Sequence, residues 1–246
     1  MKIYIPTKGR GPELQHTYRA LYAADVQYEY TLLVETDEER LVMNKAGLRC
    51  EASGASGIMG ARQWIMDNGP WKVLMLDDDL SSWASLSEGG KYLKDERSPV
   101  RAIAVIDDLL TTNVHAAIGH RQFANGKPLV EYNSRMLRAL GYRTDMVKSH
   151  GIRYELPLME DFEMTLKLLT LGYKNAIYYG VVQDQAKSGA PGGCSELRTL
   201  ELHNACAERL AEMFPKYVKV REVPGWDLGV RKDVSVQWKR AYRDGQ

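Results

Sequence analysis

Only three cysteines occur among the 246 residues of this chain, Cys50, Cys194 and Cys206, and their spacing is irregular. Such a set is too small and too scattered for a disulfide framework or a zinc knuckle. No apolar run approaches the ~18–20 residues that cross a bilayer, and the start MKIYIPTKGR lacks the apolar region of a signal peptide. We therefore expect no membrane partner and a reducing, cytoplasmic location.

The net charge is small, because 33 Lys and Arg face 32 Asp and Glu, so it gives no global reason to expect a nucleic-acid partner. Residues 215–246 differ, with eight Lys and Arg against four acids and with Tyr217, Trp226, Trp238 and Tyr242 interleaved. Cations for phosphates and rings for stacking are typical of nucleic-acid binding. Alternatively, this is a solvated terminal segment whose aromatic rings pack against the body of the protein.

The pattern of apolar residues predicts an α/β fold with a mostly parallel, helix-covered sheet, because strands and helices alternate. The predicted strands are 2–6, 29–35, 47–51, 72–77, 115–119 and 176–182, and the predicted helices are 12–24, 37–45, 57–68, 98–112, 159–171 and 196–213. Residues 81–97 contain Ser, Gly and charged residues with little periodicity, and we expect a flexible loop there.

The most informative stretch is residues 71–80, WKVLMLDDDL. Its apolar residues predict a strand buried on both faces. Asp77, Asp78 and Asp79 follow at the carboxyl end of that strand, where ligands of open α/β sheets bind. Three adjacent carboxylates either form an aspartate-rich turn or supply the oxygen ligands that Mg²⁺ and Mn²⁺ prefer, often together with a diphosphate. We favour the metal site.

Three further segments near predicted strand ends suit a nucleotide. Pro6-Thr7-Lys8-Gly9-Arg10 follows the first strand and could line a base or hold phosphates, although such turns are common. Glu35 follows the second strand and can accept hydrogen bonds from a base N–H or from ribose hydroxyls, or it can cap a helix. Gly57 begins a helix with Arg62 one turn in, and the helix dipole and the guanidinium both suit a diphosphate.

Glu160 and Asp161 begin the most clearly patterned helix of the chain. Acids in a first helical turn complement the helix dipole, and most of them do nothing else. A carboxylate at the entrance of a site can instead accept a proton from an attacking hydroxyl group. The five histidines show no metal-ligand spacing, although His203 or Asp184 could complete a metal shell.

Taken together, these segments resemble the GT-A glycosyltransferases, close to the inverting family-2 pattern, over about residues 1–180. The matching segments are IYIPTKGR, GIMGARQW (with Gln63 where the family usually has Asn), the DxD motif in VLMLDDDL, and LMEDFEMTLKLLTLGY. The resemblance implies a GT-A fold and a UDP-sugar donor. It also implies a Mn²⁺ or Mg²⁺ ion held chiefly by Asp79, with Asp77 near the metal and the donor ribose, and Asp161 as the catalytic base of an inverting displacement.

A narrower resemblance covers nearly the whole chain. NSRMLRALGYRTDMVKSHGIR, MEDFEMTLKLLTLGY and QDQAKSGAPGGCSELRT are similar to the phage glycosyltransferases found beside TET/JBP-type oxygenases. That family implies hydroxymethylated pyrimidines in DNA, 5-hydroxymethylcytosine above all, as the acceptor, and the infected host cell as the location. It makes the loop with Gly192-Gly193-Cys194-Ser195 and Arg198-Thr199 a lid or an acceptor contact.

The expected site therefore has three groups of residues. The catalytic carboxylates are Asp161 and Glu160, and the metal ligands are Asp77 and Asp79. The residues expected to bind the donor substrate are Pro6, Thr7, Arg10, Glu35, Gly57, Arg62, Asp77, Asp78, Gly192, Gly193 and Arg198.

The expected division of the chain is a glycosyltransferase domain, 1–214, followed by the basic, aromatic tail 215–246. Within the domain, 1–80 would bind the nucleotide and 98–214 the acceptor. Alternatives remain: a transferase acting on a saccharide or small molecule, or a non-catalytic DNA-binding module. A sugar-phosphate nucleotidyltransferase is disfavoured because no GxGTRxxxxPK loop follows the first strand, and a two-metal phosphohydrolase lacks its usual His/Asp ligands.

Overall fold

The computed structural model describes residues 1–185, 199–224 and 229–246. Its amino-terminal part alternates strictly between strands and helices, as the sequence predicts. The elements are β1 (Lys2–Pro6), α1 (His16–Ala23), β2 (Glu29–Val34), α2 (Asp37–Lys45), β3 (Cys50–Ala52), α3 (Gly57–Asn68) and β4 (Lys72–Leu76). A 3₁₀ turn at Pro12–Leu14 precedes α1, so the predicted helix 12–24 is divided in two.

The remaining elements are less regular in order. They are β5 (Leu80–Leu86), β6 (Tyr92–Lys94), α4 (Ser98–Thr112), β7 (His115–His120), β8 (Val130–Tyr132), β9 (Ala139–Arg143), α5 (Thr144–Ser149), α6 (Glu160–Thr170), β10 (Asn175–Gln185), α7 (Leu200–Met213), β11 (Val218–Pro224), β12 (Val230–Val236) and α8 (Trp238–Asp244). The predicted helix 196–213 is seen from Leu200 onward, and residues 196–198 lie outside the described residues.

Among the described residues, ten strands form one sheet in the order β3-β2-β1-β4-β9-β7-β10-β5-β6, with β8 also paired to β10. Strands β3, β2, β1 and β4 are parallel, and so are β7 and β10. The strand β9 lies antiparallel between β4 and β7. The α/β fold with a helix-flanked central sheet is therefore confirmed, although the sheet is mixed rather than mostly parallel.

The prediction of a flexible loop at 81–97 was wrong, because that segment contains most of β5 and all of β6. Leu80, Trp83 and Ala84 are buried, and β5 pairs antiparallel with both β10 and β6. The strand was hidden in the sequence because its serines dilute the apolar alternation that identifies a half-buried strand.

Strand β4 is buried along its whole length, and its side chains alternate between two cores. Leu74 and Leu76 pack with residues of α1 and α4. Val73 and Met75 pack on the other face of the sheet with residues of α3 and α6. Because α3 and α6 cover the same face, Arg62 of α3 reaches both Glu160 in the first turn of α6 and Asp77 at the end of β4.

A third apolar cluster joins α6, α7 and the carboxy-terminal elements β11, β12 and α8. None of the helices in the part of the chain that the structure describes has the length and apolar character needed to cross a membrane.

Candidate active site

The aspartate triplet, Asp77, Asp78 and Asp79, follows β4 at the edge of the sheet where β1 also ends. Thr17 of α1 fixes this turn. Its hydroxyl donates to the carbonyl oxygen of Asp77 at 2.5 Å and accepts the N–H of Leu80 at 2.9 Å. Its own N–H donates to the carbonyl oxygen of Asp78 at 3.1 Å. The main chain of the turn is therefore held by a residue of α1 that lies 60 positions before Asp77 in the sequence.

Asp78 connects the triplet to residues that follow β1. Its Oδ2 accepts a hydrogen bond from the Thr7 hydroxyl at 2.5 Å, and its Oδ1 pairs with Nη1 of Arg10. Burial raises the pKa of Asp78 to about 7, against the opposing hydrogen bond from Thr7 and the charge of Arg10. Because both of its oxygens are engaged within the protein, Asp78 joins the loop after β1 to the end of β4.

Asp79 differs, because one of its oxygens is still available. Its Oδ2 lies 3.3 Å from Nη2 of Arg10. Its Oδ1 is buried and has no hydrogen-bond partner among the described residues. A buried polar atom without a partner costs about 1–3 kcal/mol, and more when it is charged. A cation at this oxygen would remove that cost, so the donor chemistry fits the expected metal ion.

Within the described residues, no group of three or more His, Cys, Asp and Glu side chains forms a ready-made metal site. Asp184 lies 3.7 Å from His120, and His203 lies 3.4 Å from Asp233. The absence of a ready-made site among the described residues is compatible with Mg²⁺ or Mn²⁺, because these ions often bind through one or two carboxylates together with substrate phosphates.

Arg62 of α3 connects the triplet to α6. It is 4% exposed, and it donates from Nη1 to Oε1 of Glu160 at 2.7 Å and from Nη2 to Oδ1 of Asp77 at 3.2 Å. Burial opposes its charge, but Glu160 and Asp77 outweigh burial and raise the pKa of Arg62. Burial raises the pKa of Glu160 to about 7 despite Arg62. Burial also raises the pKa of Asp77, again against Arg62.

Asp161 lies beside Glu160 in the first turn of α6. Its Oδ2 accepts a hydrogen bond from Nη2 of Arg135 at 3.1 Å. The guanidinium of Arg135 also lies over the ring of Phe162, 3.9 Å from the ring centre. The preceding residue, Met159, has a φ of 63°, a left-handed conformation that is uncommon for a bulky residue and is often found at functional sites.

Glu35 lies at the end of β2, 2.9 Å from the Lys8 ammonium. That hydrogen bond is the main reason why the pKa of Glu35 is lowered, with smaller contributions from Ser56 and from the backbone N–H of Gly57. Helix α2 is capped by Thr36 and Glu39 through a capping box. Glu35 is therefore not its cap, and its carboxylate faces the amino terminus of α3.

Several residues of this region were not identified from the sequence: Thr17, His120, Arg135 and Arg138. Arg138 has a φ of 63°, and its carbonyl oxygen accepts the N–H of Asp77 at 3.0 Å. Its guanidinium contacts Nε2 of His120, whose pKa is lowered by burial and then by Arg138. The only local signal was a cluster of arginines in a segment without periodicity. Gly192, Gly193 and Arg198 lie outside the described residues.

The described residues of the segment 215–246 fold against the body of the protein. Tyr217, Trp238 and Tyr242 are half-buried in the cluster formed with α6 and α7, as the alternative of packed aromatic rings expects. Trp226 lies outside the described residues. The rings are therefore committed to packing, whereas many of the cations remain exposed.

Residues 1–193 match the family model described as TET-Associated Glycosyltransferase. The beta-glucosyl-HMC-alpha-glucosyl-transferase of Enterobacteria phage T6 is 24% identical over 221 residues, covering 81% of this chain and 78% of the phage protein. The protein of the same name from Enterobacteria phage T2 is 23% identical over 231 residues, covering 85% of this chain and 81% of the phage protein.

Among solved structures, the mannosyltransferase PcManGT from Pyrobaculum calidifontis, in complex with GDP-Man and Mn²⁺, superposes with a TM-score of 0.51. The two chains are 13% identical, and the superposition covers 77% of this chain and 57% of the mannosyltransferase. A likeness at this identity concerns the fold alone, and it confirms the predicted GT-A type.

Proposed function

Because this chain belongs to the TET-associated glycosyltransferase family and is therefore a sugar-transferring enzyme, we propose that it transfers a sugar from a UDP-sugar to 5-hydroxymethylcytosine in phage DNA. The names of both phage relatives describe glucosyl transfer involving HMC, and PcManGT was solved with a nucleotide sugar and Mn²⁺. Because the relatives are phage proteins, we place the activity in the infected host cell. Family membership favours an enzyme over a non-catalytic DNA-binding module.

The observation that carries the proposal is the position of Arg62 between Asp77 and Glu160, with distances of 3.2 and 2.7 Å. Through this residue the aspartate triplet of β4 and the first turn of α6 belong to one polar site. A transferase needs a donor-binding group and a proton acceptor close together, and Asp161 follows Glu160 directly.

The donor would occupy the edge formed by the ends of β1 and β4. Pro6, Thr7 and Glu35 lie at the ends of the strands that would face the nucleoside, and the Glu35 carboxylate can accept hydrogen bonds from a base or ribose. Arg10 and Arg62 place cationic groups beside the triplet, where a diphosphate would lie. Gly57, at the start of α3, offers an N–H to the same region.

Asp79 and Asp77 are the residues that would hold a divalent cation, since Asp79 presents a buried oxygen that has no partner in the described parts of the chain. When bound, Mg²⁺ or Mn²⁺ would neutralise the charge that develops on the departing diphosphate. Arg10 and Arg62 hold the carboxylates in fixed directions, so that the ligand atoms need not reorganise when the donor binds.

In the transfer step, the acceptor hydroxyl oxygen bonds to the anomeric carbon while the bond from that carbon to the diphosphate oxygen breaks. The hydroxyl proton goes to the carboxylate of Asp161. Arg135 orients this carboxylate through its hydrogen bond to Oδ2. A hydroxymethyl group at position 5 of cytosine projects into the major groove of a duplex, so the base need not leave the helix to react.

A second acceptor is favoured by the names of the two phage relatives, which describe α-glucosyl transfer to β-glucosyl-HMC. In this alternative the attacking hydroxyl belongs to a glucose that is already attached to the modified base. This acceptor would require a deeper pocket. An α-linked product formed from an α-linked UDP-glucose would also keep the configuration at the anomeric carbon, whereas the single displacement described above inverts it.

Mass spectrometry of nucleosides distinguishes these acceptors. Duplexes carrying cytosine, 5-hydroxymethylcytosine or glucosylated 5-hydroxymethylcytosine are incubated with mixed UDP-sugars and Mn²⁺, then digested. We expect one hexose to be added to the hydroxymethylated nucleoside and none to cytosine. Addition only to the glucosylated nucleoside would establish the second acceptor, and addition to none of them would refute the proposed function.

A further inference from the structure

The described residues of 215–246, hereafter the carboxy-terminal module, lie beyond the residues 1–193 that match the family model. The module is a hairpin of β11 and β12 followed by α8. Its inward face packs on α6 and α7 through Val218 and Ala241, which are buried, together with Val234, Val236 and Trp238. The module is therefore folded, with one face packed against the body of the protein and the other facing outward.

That outward face is cationic. The exposed ionisable side chains of the described module are six cations, Lys216, Lys219, Arg221, Lys239, Arg240 and Arg243, and two acids, Glu222 and Asp244. Arg240 pairs with Asp244 at 3.6 Å. For the other five cations, the structure describes no acidic side chain within 4.0 Å. Intramolecular pairing therefore leaves most of this charge available to a polyanion.

The periodicity of each element separates the two faces. In α8, Trp238, Ala241 and Tyr242 contact the third apolar cluster, whereas Lys239, Arg240 and Arg243 are exposed. In β11, Lys219 and Arg221 alternate with inward-facing valines, as neighbouring positions of a strand must.

The module is also joined to the candidate catalytic carboxylate. The ring of Trp238 lies 5.6 Å from the ring of Phe162, centre to centre. Phe162 in turn lies under the guanidinium of Arg135, which pairs with Asp161. Arg135 has 38% of its side chain exposed, so it lies at the boundary between the site and the surface of the module.

We propose that the outward face of the carboxy-terminal module binds the phosphodiester backbone of the acceptor DNA and so presents the target base to Asp161. The inference rests on the proposed function for the identity of the acceptor. Lys and Arg that neutralise phosphates release condensed counterions, which supplies affinity without reading sequence. Such contacts fix the position of a duplex on the protein. A base-modifying enzyme would need them to hold the target base at its catalytic carboxylate.

The test measures the salt dependence of binding to an unmodified duplex by fluorescence anisotropy. The variants Lys239→Gln/Arg243→Gln and Lys219→Gln/Arg221→Gln remove two exposed cations each from the module. Lys45→Gln/Lys91→Gln removes two exposed cations from other parts of the surface and serves as the matched control. We expect the slope of log K against log salt to fall by about one per contacting residue, hence by about two in each module variant.

Transfer assays with hydroxymethylated duplex extend the test. Both module variants should show a raised KM for the duplex, with kcat changed much less. Wild-type salt slopes in both variants would overturn the proposal. Reduced binding to vesicles of anionic phosphatidylglycerol, with duplex binding unchanged, would overturn it in favour of a membrane surface. Altered slopes in a protein that transfers no sugar to modified DNA would support the docking surface and refute only the proposed function.

Discussion

Arg135 and Asp161 form an ion pair of 3.1 Å at the first turn of α6, and the same guanidinium lies 3.9 Å from the centre of the Phe162 ring. The two contacts use different properties of one planar group, its N–H donors and its face. The ring contact and the ion pair together restrict the orientation of the guanidinium, and the hydrogen bond favours one direction of the Asp161 carboxylate. Because Arg135 contacts the Phe162 ring with its planar face and donates an N–H group to Asp161, we regard it as a positioning residue for the proposed base.

Replacing Arg135 by lysine keeps the charge but removes the planar contact with Phe162. We expect kcat for sugar transfer to fall about tenfold, as about 1.4 kcal/mol of lost positioning requires, with little change in KM for the donor. Steady-state kinetics with varied UDP-sugar measure both constants. Arg101→Lys, an exposed arginine of α4 paired with Asp95, is the matched control. Equal kcat values for Arg135→Lys and the control would show that Arg135 has no positioning role.

Asp79→Asn removes the carboxylate whose Oδ1 contacts no hydrogen-bond partner within residues 1–185, 199–224 and 229–246. We expect turnover to fall by roughly 10²-fold or more, because charge neutralisation at the diphosphate is worth several kcal/mol. Titration of activity with Mn²⁺ should also show that saturation requires more metal. Asp67→Asn, at a surface aspartate paired with Arg153, should behave as wild type. Undiminished turnover of Asp79→Asn, or activity that survives a chelator, would contradict a metal at this position.

The elements around this site show what the sequence could predict. The strand ending at the triplet and the helices starting at Gly57 and Glu160 were predicted because each has a local signal, a buried apolar run or a clear 3.6-residue period. The strands β5 and β6 were missed because they are fixed by tertiary pairing: the serine-rich β5 pairs with β10, and the short β6 pairs with β5. The antiparallel position of β9, which makes the sheet mixed, is likewise fixed by tertiary pairing.

Buried charge gives a prediction on stability. Removing Arg62 would leave the buried Glu160 and the half-buried Asp77 without their cation. We expect Arg62→Met to lower the free energy of unfolding by about 3–5 kcal/mol, measured by urea denaturation. Arg153→Met breaks an exposed pair with Asp67 and should cost about 1 kcal/mol or less. A loss for Arg62→Met no larger than that for Arg153→Met would mean that the bridge between α3 and α6 contributes little.

The pH dependence of stability should carry a contribution from His115. This residue is 0% exposed, its Nε2 lies 2.9 Å from the carbonyl oxygen of Tyr173, and burial lowers its pKa to about 4 from 6.5. Because the unfolded state binds the proton more readily, the contribution is fully present above pH 6.5. It is lost as the pH falls from 6.5 towards 4, by about 3 kcal/mol in total.

Urea denaturation across this range, comparing wild type with His115→Gln, isolates that contribution, because other groups titrate equally in both proteins. The difference in free energy of unfolding should change with pH only below about 6.5. Parallel curves for the two proteins between pH 7 and pH 4.5 would show that His115 does not titrate as its burial requires.

The composition of the site shows a similar division between local and long-range information. Asp77, Arg62 and Glu160 were each expected in a site from their own segments, and the structure brings them together through one guanidinium. Thr17 and Arg135 were not expected, since a threonine inside a helix has no local signature and the only signal near Arg135 was a cluster of arginines in an irregular segment. Their roles arise from contacts across 60 and 26 positions of the chain.

The most direct test of the account is single-turnover sugar transfer to a 5-hydroxymethylcytosine duplex by wild type, Asp161→Asn and the control Asp67→Asn, with saturating UDP-sugar and Mn²⁺. We predict that Asp161→Asn slows transfer by about 10²–10⁴-fold, because the acceptor proton loses its destination, while Asp67→Asn reacts at the wild-type rate. Transfer by Asp161→Asn at the wild-type rate would contradict the assignment of this carboxylate as the base.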